Sequence, residues 1–554
     1  MIMAAMSGKE RTWLAVVIVA YVALFARATA HDFVWDDVLE IETNAAFDRP
    51  LLDGLALTQV GRTNPDLIAL ADIQLAYDSY RPVLFATFWV EVAVFGRSAA
   101  PMHVTNLVLG LLALLLAHAL ARRWLAAAAI DGMYAIVATA IFALHPIQVE
   151  SIAYISARGD LLAGLFALSS AYAATRATSP ANAGRVAAPK AMRSRSTTPR
   201  WHWYALAALA FAASLFTKES YLGLPVALLL VAAVISGRAG VQTWWRIIAV
   251  MIVVAIGYLG VRAALVTATS GGALGAAIVG LPGVWLEYLR IVVLPFDLST
   301  ERLHVTAYTP AGWLVVGLVI AMVIVLRKRE LPAVRVAVAG LGWFAMLIGP
   351  AAVSVLAMGV AADRYAYAAM LGIGIAIAVT VARVTRGRRV VQVVVGVWGA
   401  VLLVIAWLQV GVWADNRTLY AHAVQTAPDS SEAHYRLGYL DAQAGDWEHA
   451  LPLLQRAVEL DDTNIRALNN LGVGLMQIQQ WADAERVLQR AVDQNPAHFR
   501  SWFNLGAAQL QLGRRVAGCA SIRHALEVNP SYARARSTYD QSCKTSAPAT
   551  PGLR

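Results

Sequence analysis

Two adjacent carboxylates in the chain's first polar stretch are the residues best suited to acid–base chemistry. Asp36 and Asp37 follow the apolar run Leu14–Ala26 and lie within His31–Asn44, which reads HDFVWDDVLEIETN. Neighbouring carboxylates in a partly dry cleft repel each other, which raises one pKa and leaves a base usable near neutral pH. A solvated loop could carry the same two residues, so the pair needs support from the rest of the chain.

Further ionisable residues stand at the ends of apolar runs in separate stretches of the chain. An ionisable residue inside or beside a membrane span is energetically costly and is therefore a functional hypothesis by default. Arginine offers a phosphate a bidentate fork, and lysine offers it a point charge. The ionisable residues at the ends of apolar runs are Asp36, Asp37, His145, Glu150, Arg158, Asp160, Lys218, Glu219, Asp363 and Arg364, and the Tyr80-Arg81 pair joins them.

Structural roles are also open for several of these residues. His145 precedes Pro146 at a helix end, where a hydrogen-bonded structural histidine is as well expected as a catalytic one. Asp363-Arg364-Tyr365 would anchor a helix at the interface, as Tyr and Arg often do. Neighbours of opposite charge would form structural ion pairs, namely Arg158 with Asp160 and Lys218 with Glu219.

The composition is that of a membrane protein. Of 554 residues, 59% are hydrophobic and 14% are charged, whereas soluble domains are about half apolar and about one quarter charged. Successive apolar runs are long enough to cross the hydrocarbon core as helices, which takes about 20 residues. The formal charge of +10 reflects basic residues clustered in short connections between the runs, which is a topology signal. Nucleic acid is therefore not a predicted partner.

The basic clusters set the expected topology. A cytoplasmic N-terminus places every cluster inside, predicts about eleven spans and leaves the C-terminus outside, by the positive-inside rule. Ala28-Thr29-Ala30 resembles a signal-peptidase site, but the many later spans favour a retained first helix. Pro82–Gly96 is short and contains Glu91, so we expect an interfacial helix there. The predicted spans have their cores at Leu14–Ala26, Val104–Ala121, Met133–Leu144, Leu161–Ala174, Tyr204–Phe216, Leu222–Ser236, Ile247–Leu265, Trp313–Leu326, Val334–Leu356, Ala368–Val381 and Val391–Trp413.

The composition changes after Trp413, where a repeat begins. Leu437-Gly438, Leu471-Gly472 and Leu505-Gly506 recur every 34 residues. This period, with small residues at helix crossings, matches the tetratricopeptide repeat (TPR). We expect a TPR α-solenoid over residues 414–544 and a disordered tail over 545–554. The two cysteines, Cys519 and Cys543, would form a disulfide only in an oxidising compartment.

Five motifs in chain order resemble the transmembrane and tetratricopeptide-repeat-containing O-mannosyltransferases, a family of the GT-C superfamily. The block HPIQVESIAYISARGDLLA, which ends at Ala163, is the most specific of them. The others are DFVWDD with Ile41 and Asn44, SYRP at Ser79–Pro82 followed by Pro101-Met102-His103 and Asn106, FTKES at Phe216–Ser220, and ADRYAY at Ala362–Tyr367.

The resemblance implies an all-α GT-C membrane bundle over residues 1–413, with a large first extracytoplasmic loop over residues 31–100. The donor would be a polyprenyl-phosphate-linked sugar, with mannose expected. By carry-over, Asp36 or Asp37 would be the general base, and Arg158, Lys218 and Arg364 would hold the donor phosphate. Supporting roles fall to Arg81, His103, His145, Glu150, Asp160, Glu219, Asp363 and Tyr365. No metal site is predicted, and a divalent metal could bind only through carboxylates.

The function expected from these features is inverting sugar transfer to a Ser or Thr hydroxyl of exported proteins. The composition favours a bacterial inner-membrane protein with periplasmic repeats, or an ER protein if eukaryotic. The partners would be the lipid-linked sugar, the acceptor protein, membrane lipid and a protein on the repeat surface. The alternatives are a non-enzymatic membrane scaffold that displays the repeats, or a GT-C enzyme with a lipid or glycan acceptor.

Overall fold

The structure, a computed structural model, describes residues 6–56, 80–178, 201–265, 273–298, 309–317, 331–358, 361–384 and 389–544. These residues form helices and connecting segments without a strand. The all-α prediction is therefore confirmed. The chain divides into two compact units, with the boundary after Leu419, six residues beyond the predicted boundary at 413/414.

The first unit is built from long apolar helices joined by short polar segments. Its short single-turn elements are the 3₁₀ turns Ala26–Ala30, Ala45–Asp48, Pro146–Gln148, Glu219–Tyr221 and Asp363–Ala366 and the π turn Val38–Glu42. Its α-helices are Gly8–Phe25, Leu51–Ala56, Pro82–Phe95, Ala99–Ala127, Met133–Leu144, Val149–Ala153, Arg158–Thr178, Trp201–Thr217, Leu224–Leu265, Ala273–Val293, Pro332–Met358, Met370–Val384, Arg389–Val412 and Asn416–Thr426, the last of which runs past the boundary.

Five helices of the described chain are long and apolar enough to cross a membrane, and a sixth results if two short helices bent by 50° form one span. The predicted runs Leu161–Ala174, Tyr204–Phe216 and Ala368–Val381 are helical but fall short of this standard. Run Trp313–Leu326 is described only as far as residue 317, and the basic residues at 185–195, 327–329, 386 and 388 lie outside the described residues. The number of about eleven spans stays a prediction.

The predicted runs Leu222–Ser236 and Ile247–Leu265 are two helices that meet at Gly237 and form a helical hairpin. This glycine has φ 61° and ψ −146°, a conformation that residues with a Cβ rarely adopt. Arg262 Nη1 lies 3.8 Å from Glu219 Oε1. The chain therefore turns back at Gly237 and brings the two ends of the hairpin together.

Two helices of the first unit cross with their backbones in contact. At the crossing, Pro332–Met358 presents Gly340 and Met370–Val384 presents Gly372, and a Cβ added to either glycine would collide with the carbonyl oxygen of the other. Small residues permit such close approach between membrane helices.

The second unit is a series of antiparallel helix pairs, as the 34-residue period predicts. The repeat glycines lie at the crossings: Gly472 faces Leu488, and Gly506 faces Ile522. Cys519 and Cys543 form a disulfide with their Cα atoms 5.5 Å apart. The predicted tail at 545–554 lies outside the described residues. The helices are Ser431–Gln443, Trp447–Leu460, Ile465–Gln477, Trp481–Gln494, Phe499–Gln511, Arg515–Val528 and Ala533–Ser542.

The glycine crossing gives a stability prediction. Gly372→Ala forces a methyl group against the Gly340 carbonyl and should cost about 1–3 kcal/mol, as overpacking does. Gly396→Ala is the matched control, because a Cβ at Gly396 meets nothing within 4 Å. Thermal unfolding of the detergent-purified proteins should show a lower melting temperature for Gly372→Ala only. Equal melting temperatures for the two variants would contradict the crossing.

Candidate functional site

The first polar stretch is fastened to the chain just ahead of helix Arg158–Thr178. The Asp37 carboxylate is wholly buried. Its Oδ1 accepts hydrogen bonds from the Ser156 backbone N–H at 2.7 Å and from Ser156 Oγ at 2.6 Å. Its Oδ2 accepts one from the Val34 N–H at 3.2 Å. The first of the five motifs is thereby joined to the HPIQVESIAYISARGDLLA block.

Burial shifts the acid–base behaviour of this stretch. It raises the pKa of Asp37 to about 7, although the hydrogen bonds from Ser156 and Val34 act in the opposite direction. Burial, followed by the negative charge of Asp36, raises the pKa of Glu40 to about 7. Two carboxyl groups of the same stretch therefore titrate near neutral pH. Glu40 was not among the predicted site residues, because nothing in the sequence indicates its burial.

Asp36 differs from Asp37 in its surroundings. Its side chain is half-buried, and no group of the described residues donates a hydrogen bond to it. Its negative charge acts on the side chains of Glu40 and Tyr154. The oxygens of Asp36 are therefore open to a ligand, whereas those of Asp37 are occupied.

A network of buried opposite charges borders this loop. Both Glu150 oxygens bind Arg364, Oε1 through the guanidinium and Oε2 through the backbone N–H at 3.0 Å. Asp160 Oδ2 accepts a hydrogen bond from Lys218 Nζ at 2.5 Å and lies 3.5 Å from Arg364 Nε. The Arg364 guanidinium carbon is 5.8 Å from the centre of the Trp35 ring, which places the network beside the residue that precedes Asp36.

The second oxygen of Asp160 has no partner in this network. Asp160 is fully buried, and its Oδ1 has no hydrogen-bond donor within the described part of the chain. Lys218 Nζ lies over the Tyr365 ring, 5.0 Å from its centre. A buried acceptor without a donor is rare and marks a place for a ligand group or water.

A second cationic group is more open to solvent. Arg81 Nη2 lies 3.5 Å and Arg262 Nη1 3.8 Å from the same oxygen of Glu219. The side chains of Arg81 and Arg262 are 25% and 31% exposed. Two positive charges thus share one carboxylate. Arg262 was not predicted as a site residue, although an arginine so near the end of an apolar run is itself a functional signal.

Arg158 occupies a different environment from the one predicted. It has no exposed surface, and its guanidinium donates to Glu91 Oε2 at 2.5 Å. It also donates to Asn106 Oδ1 at 2.7 Å and to the Met102 carbonyl at 2.9 Å. These contacts hold the helices Pro82–Phe95 and Ala99–Ala127 together and leave no face for a phosphate, so the predicted phosphate contact does not fit this geometry.

The two predicted histidines are also surrounded by protein. Both ring nitrogens of His145 are hydrogen-bonded, Nε2 to the Val292 carbonyl at 2.9 Å and Nδ1 to the Ile147 N–H at 3.2 Å. Its geometry is that of a structural histidine, the alternative left open by the sequence. His103 is buried and packs edge-on against His31, with ring centres 6.0 Å apart.

The remaining supporting residue, Asp363, is buried at the start of a 3₁₀ turn. Within the described ranges, no group of three or more His, Cys, Asp or Glu side chains could hold a metal ion.

Comparison with known families identifies the second unit. Family models described as tetratricopeptide repeat match residues 408–465, 441–508 and 499–532. The C-terminal region is a TPR domain. It was predicted from the period of the sequence, and this prediction is confirmed.

The chain is also similar to a protein O-mannosyl-transferase of Caenorhabditis elegans. The two are 29% identical over 144 residues, which is 25% of this chain and 19% of that protein. The chain thus spans about a fifth of the length of this relative. Together with the TPR domain, the match supports the resemblance to the TPR-containing O-mannosyltransferases. With the apolar helices, it indicates a membrane protein related to glycosyltransferases.

Two solved structures show only low similarity to this chain. MamA of Desulfovibrio magneticus RS-1 is 22% identical and covers 22% of this chain and 67% of its own, with a TM-score of 0.21. YrrB, a TPR protein with an unusual peptide-binding site, is 13% identical and covers 40% of this chain and 96% of its own, with a TM-score of 0.22. Scores this low carry no structural argument.

The raised pKa of Asp37 predicts how stability depends on pH. The folded protein holds a proton on this group up to a higher pH than the unfolded chain does. The stability that Asp37 contributes is therefore lost as the pH rises from about 4 to about 7, by at most about 1.4 kcal/mol for each pH unit. The melting temperature of the wild type minus that of Asp37→Asn should fall over this interval, because histidines with a lowered pKa, such as His498, act in the opposite direction but equally in both proteins.

Glu40 contributes with the same sign, so Asp37→Asn removes only part of the slope. Asp53→Asn is the control, because Asp53 is exposed and should leave the slope unchanged. A pH profile of Asp37→Asn that superimposes on that of the wild type would refute the buried, protonated carboxyl.

Proposed function

We propose that the protein is an integral-membrane GT-C glycosyltransferase that transfers a sugar from a polyprenyl-phosphate donor to a protein Ser or Thr hydroxyl. Mannose is the expected sugar. The observation that carries the proposal is the open carboxylate of Asp36, held at the edge of a cluster of arginine and lysine side chains. A scaffold would not need this juxtaposition of a free base with phosphate-suited cations.

Asp36 is the proposed general base. The acceptor hydroxyl oxygen attacks the anomeric carbon while Asp36 takes its proton, and the bond from that carbon to the phosphate oxygen breaks. The phosphate leaves with the electron pair, and the configuration at the anomeric carbon inverts. Only a carboxylate with free oxygens can approach a hydroxyl, which favours Asp36 over Asp37. Asp37 then acts as a positioning residue through Ser156.

The donor phosphate is assigned to the more exposed cations. Lys218 and Arg364 already face Asp160 and Glu150, which offset their charges. Arg81 and Arg262 share Glu219 and keep an excess positive charge. Preorganised positive charge stabilises a leaving phosphate most where it is not already neutralised. This assignment gives Arg81 and Arg262 the phosphate role that the sequence predicted for Arg158, Lys218 and Arg364.

Asp160 is placed to recognise the sugar. Its buried Oδ1 lacks a donor among the described residues, and a sugar hydroxyl would supply one. Lys218 and Arg364 hold the other oxygen in place and so orient this acceptor. Their role in the proposal is therefore to position Asp160 next to the donor.

The site and the TPR domain are placed on the extracytoplasmic side, which is the periplasm if the protein is bacterial. This placement rests on the positive-inside rule. TPR arrays present concave surfaces to protein partners, so the acceptor protein or an accessory protein is the proposed occupant. A GT-C enzyme with a lipid or glycan acceptor would share the donor chemistry and differ only in this last step.

The two carboxylates should differ in kinetic effect. With a polyprenyl-phosphate-mannose donor and a Ser-containing peptide, Asp36→Asn should lower kcat by about 10²- to 10⁴-fold, as loss of a general base does. Asp37→Asn should cost less, about tenfold, because it disturbs only the position of the loop. Initial rates of the purified variants measure both effects. A larger loss in Asp37→Asn than in Asp36→Asn would reverse the assignment of the base.

The phosphate assignment predicts a binding defect. Arg262→Ala should raise KM for the lipid donor about tenfold, because a charge-assisted hydrogen bond to the phosphate is lost. The control is Arg246→Ala, since Arg246 is an exposed arginine beyond the break of the same hairpin. Its KM should stay within about twofold of the wild type. Equal KM values for the two variants would remove Arg262 from the phosphate site.

A further inference from the structure

We infer that Asn416 is a positioning residue for Asp36, acting through the backbone of Trp35. This inference rests on the proposed function, in which Asp36 is the base. The link joins the segment that follows the last long apolar helix to the first polar stretch of the chain. None of the five motifs includes Asn416.

The backbone at Trp35 is in a conformation that needs support. Trp35 has a φ of 53°, in the left-handed region that bulky residues rarely enter. Such a conformation persists only where surrounding contacts impose it, and it is characteristic of functional sites. Because Trp35 directly precedes Asp36, its backbone angles set the direction in which the Asp36 side chain leaves the chain.

Two hydrogen bonds from the first polar stretch to residues 414–416 supply that support. The Trp35 N–H donates to Asn416 Oδ1 at 2.7 Å. The Asp32 N–H donates to the Ala414 carbonyl at 3.1 Å. The segment is thus held both at Asp32 and at the strained residue, Trp35.

Aromatic stacking fixes the side chain of the same residue. The Trp35 ring centre lies 5.7 Å from that of Tyr154 and 6.4 Å from that of Trp413. Tyr154 and Trp413 stack on each other at 5.0 Å. Backbone and side chain of Trp35 are therefore both held by residues 413–416, with Tyr154 completing the stack.

The side chain of Asn416 is not needed to begin its own helix. Asp415 caps helix Asn416–Thr426, because its Oδ1 accepts from the Thr418 N–H at 2.8 Å and its Oδ2 from Thr418 Oγ1 at 3.1 Å. Asparagine is a mediocre helix former at such a position. The hydrogen bond to the Trp35 N–H, rather than a role in its own helix, accounts for an asparagine at position 416.

The test compares Asn416→Leu, which removes the acceptor, with Asn416→Asp, which keeps an oxygen in the same place. Thr418→Val is the control, since it removes the hydrogen bond from Thr418 Oγ1 to Asp415 on the same helical turn and leaves the Asn416 contact with Trp35 unchanged. Releasing the strained backbone should lower kcat of Asn416→Leu about 10- to 100-fold, with KM for the donor changed less than about threefold. Asn416→Asp should recover most of kcat, and Thr418→Val should match the wild type.

Hydrogen exchange of peptides covering residues 31–44, read by mass spectrometry, gives a readout without turnover. Faster exchange in Asn416→Leu, and not in Asn416→Asp or Thr418→Val, supports the inference. Unchanged kcat and unchanged exchange in Asn416→Leu would overturn it, as would equal losses in both Asn416 variants. If the wild type shows no turnover with any lipid-linked sugar, the proposed function fails, and the exchange comparison still decides whether Asn416 holds the loop.

Discussion

The hydrogen bonds between Asp37 and Ser156 are the contact on which the arrangement of the site depends. They join residues 119 positions apart and hold the first polar stretch against the segment that supplies Arg158 and Asp160. Burying a carboxylate is costly unless donors surround it, and Ser156 and Val34 supply those donors. With Asp37 held in this way, Asp36 accepts no hydrogen bond from the described residues and lies beside the cationic network.

Across the site, the more exposed a cationic side chain is, the less fully its charge is compensated by a carboxylate. Arg158 has no exposed side-chain surface and is paired with Glu91. Lys218 and Arg364, at 11% and 17% exposure, contact Asp160 and Glu150. Arg81 and Arg262, at 25% and 31%, share one carboxylate. The gradient agrees with the high cost of unpaired buried charge, and it leaves surplus positive charge where a charged ligand can reach it.

Much of the architecture could be predicted from the sequence, because apolar helices and repeats produce patterns that a short stretch of sequence already shows. The 34-residue spacing of Leu-Gly pairs predicted the TPR domain, and Gly237 falls in the predicted break between two apolar runs. The different roles of the individual site residues could not be predicted. Asp36 and Asp37 are neighbours with identical side chains, and only distant contacts distinguish them. Arg158 was assigned to phosphate because its partner Glu91, 67 residues earlier, could not be recognised from spacing. Asn416 lies 381 residues from the amide that it binds.

The most direct test of the proposed chemistry is the anomeric configuration of the product. Purified protein would be given a polyprenyl-phosphate-mannose of known configuration and a Ser-containing peptide, and the mannosyl peptide would be analysed by NMR. An acceptor hydroxyl activated by Asp36 attacks in a single displacement, so we expect transfer with the opposite configuration. Retention would contradict a single displacement, and absence of any transfer from lipid-linked sugars would contradict the glycosyltransferase itself.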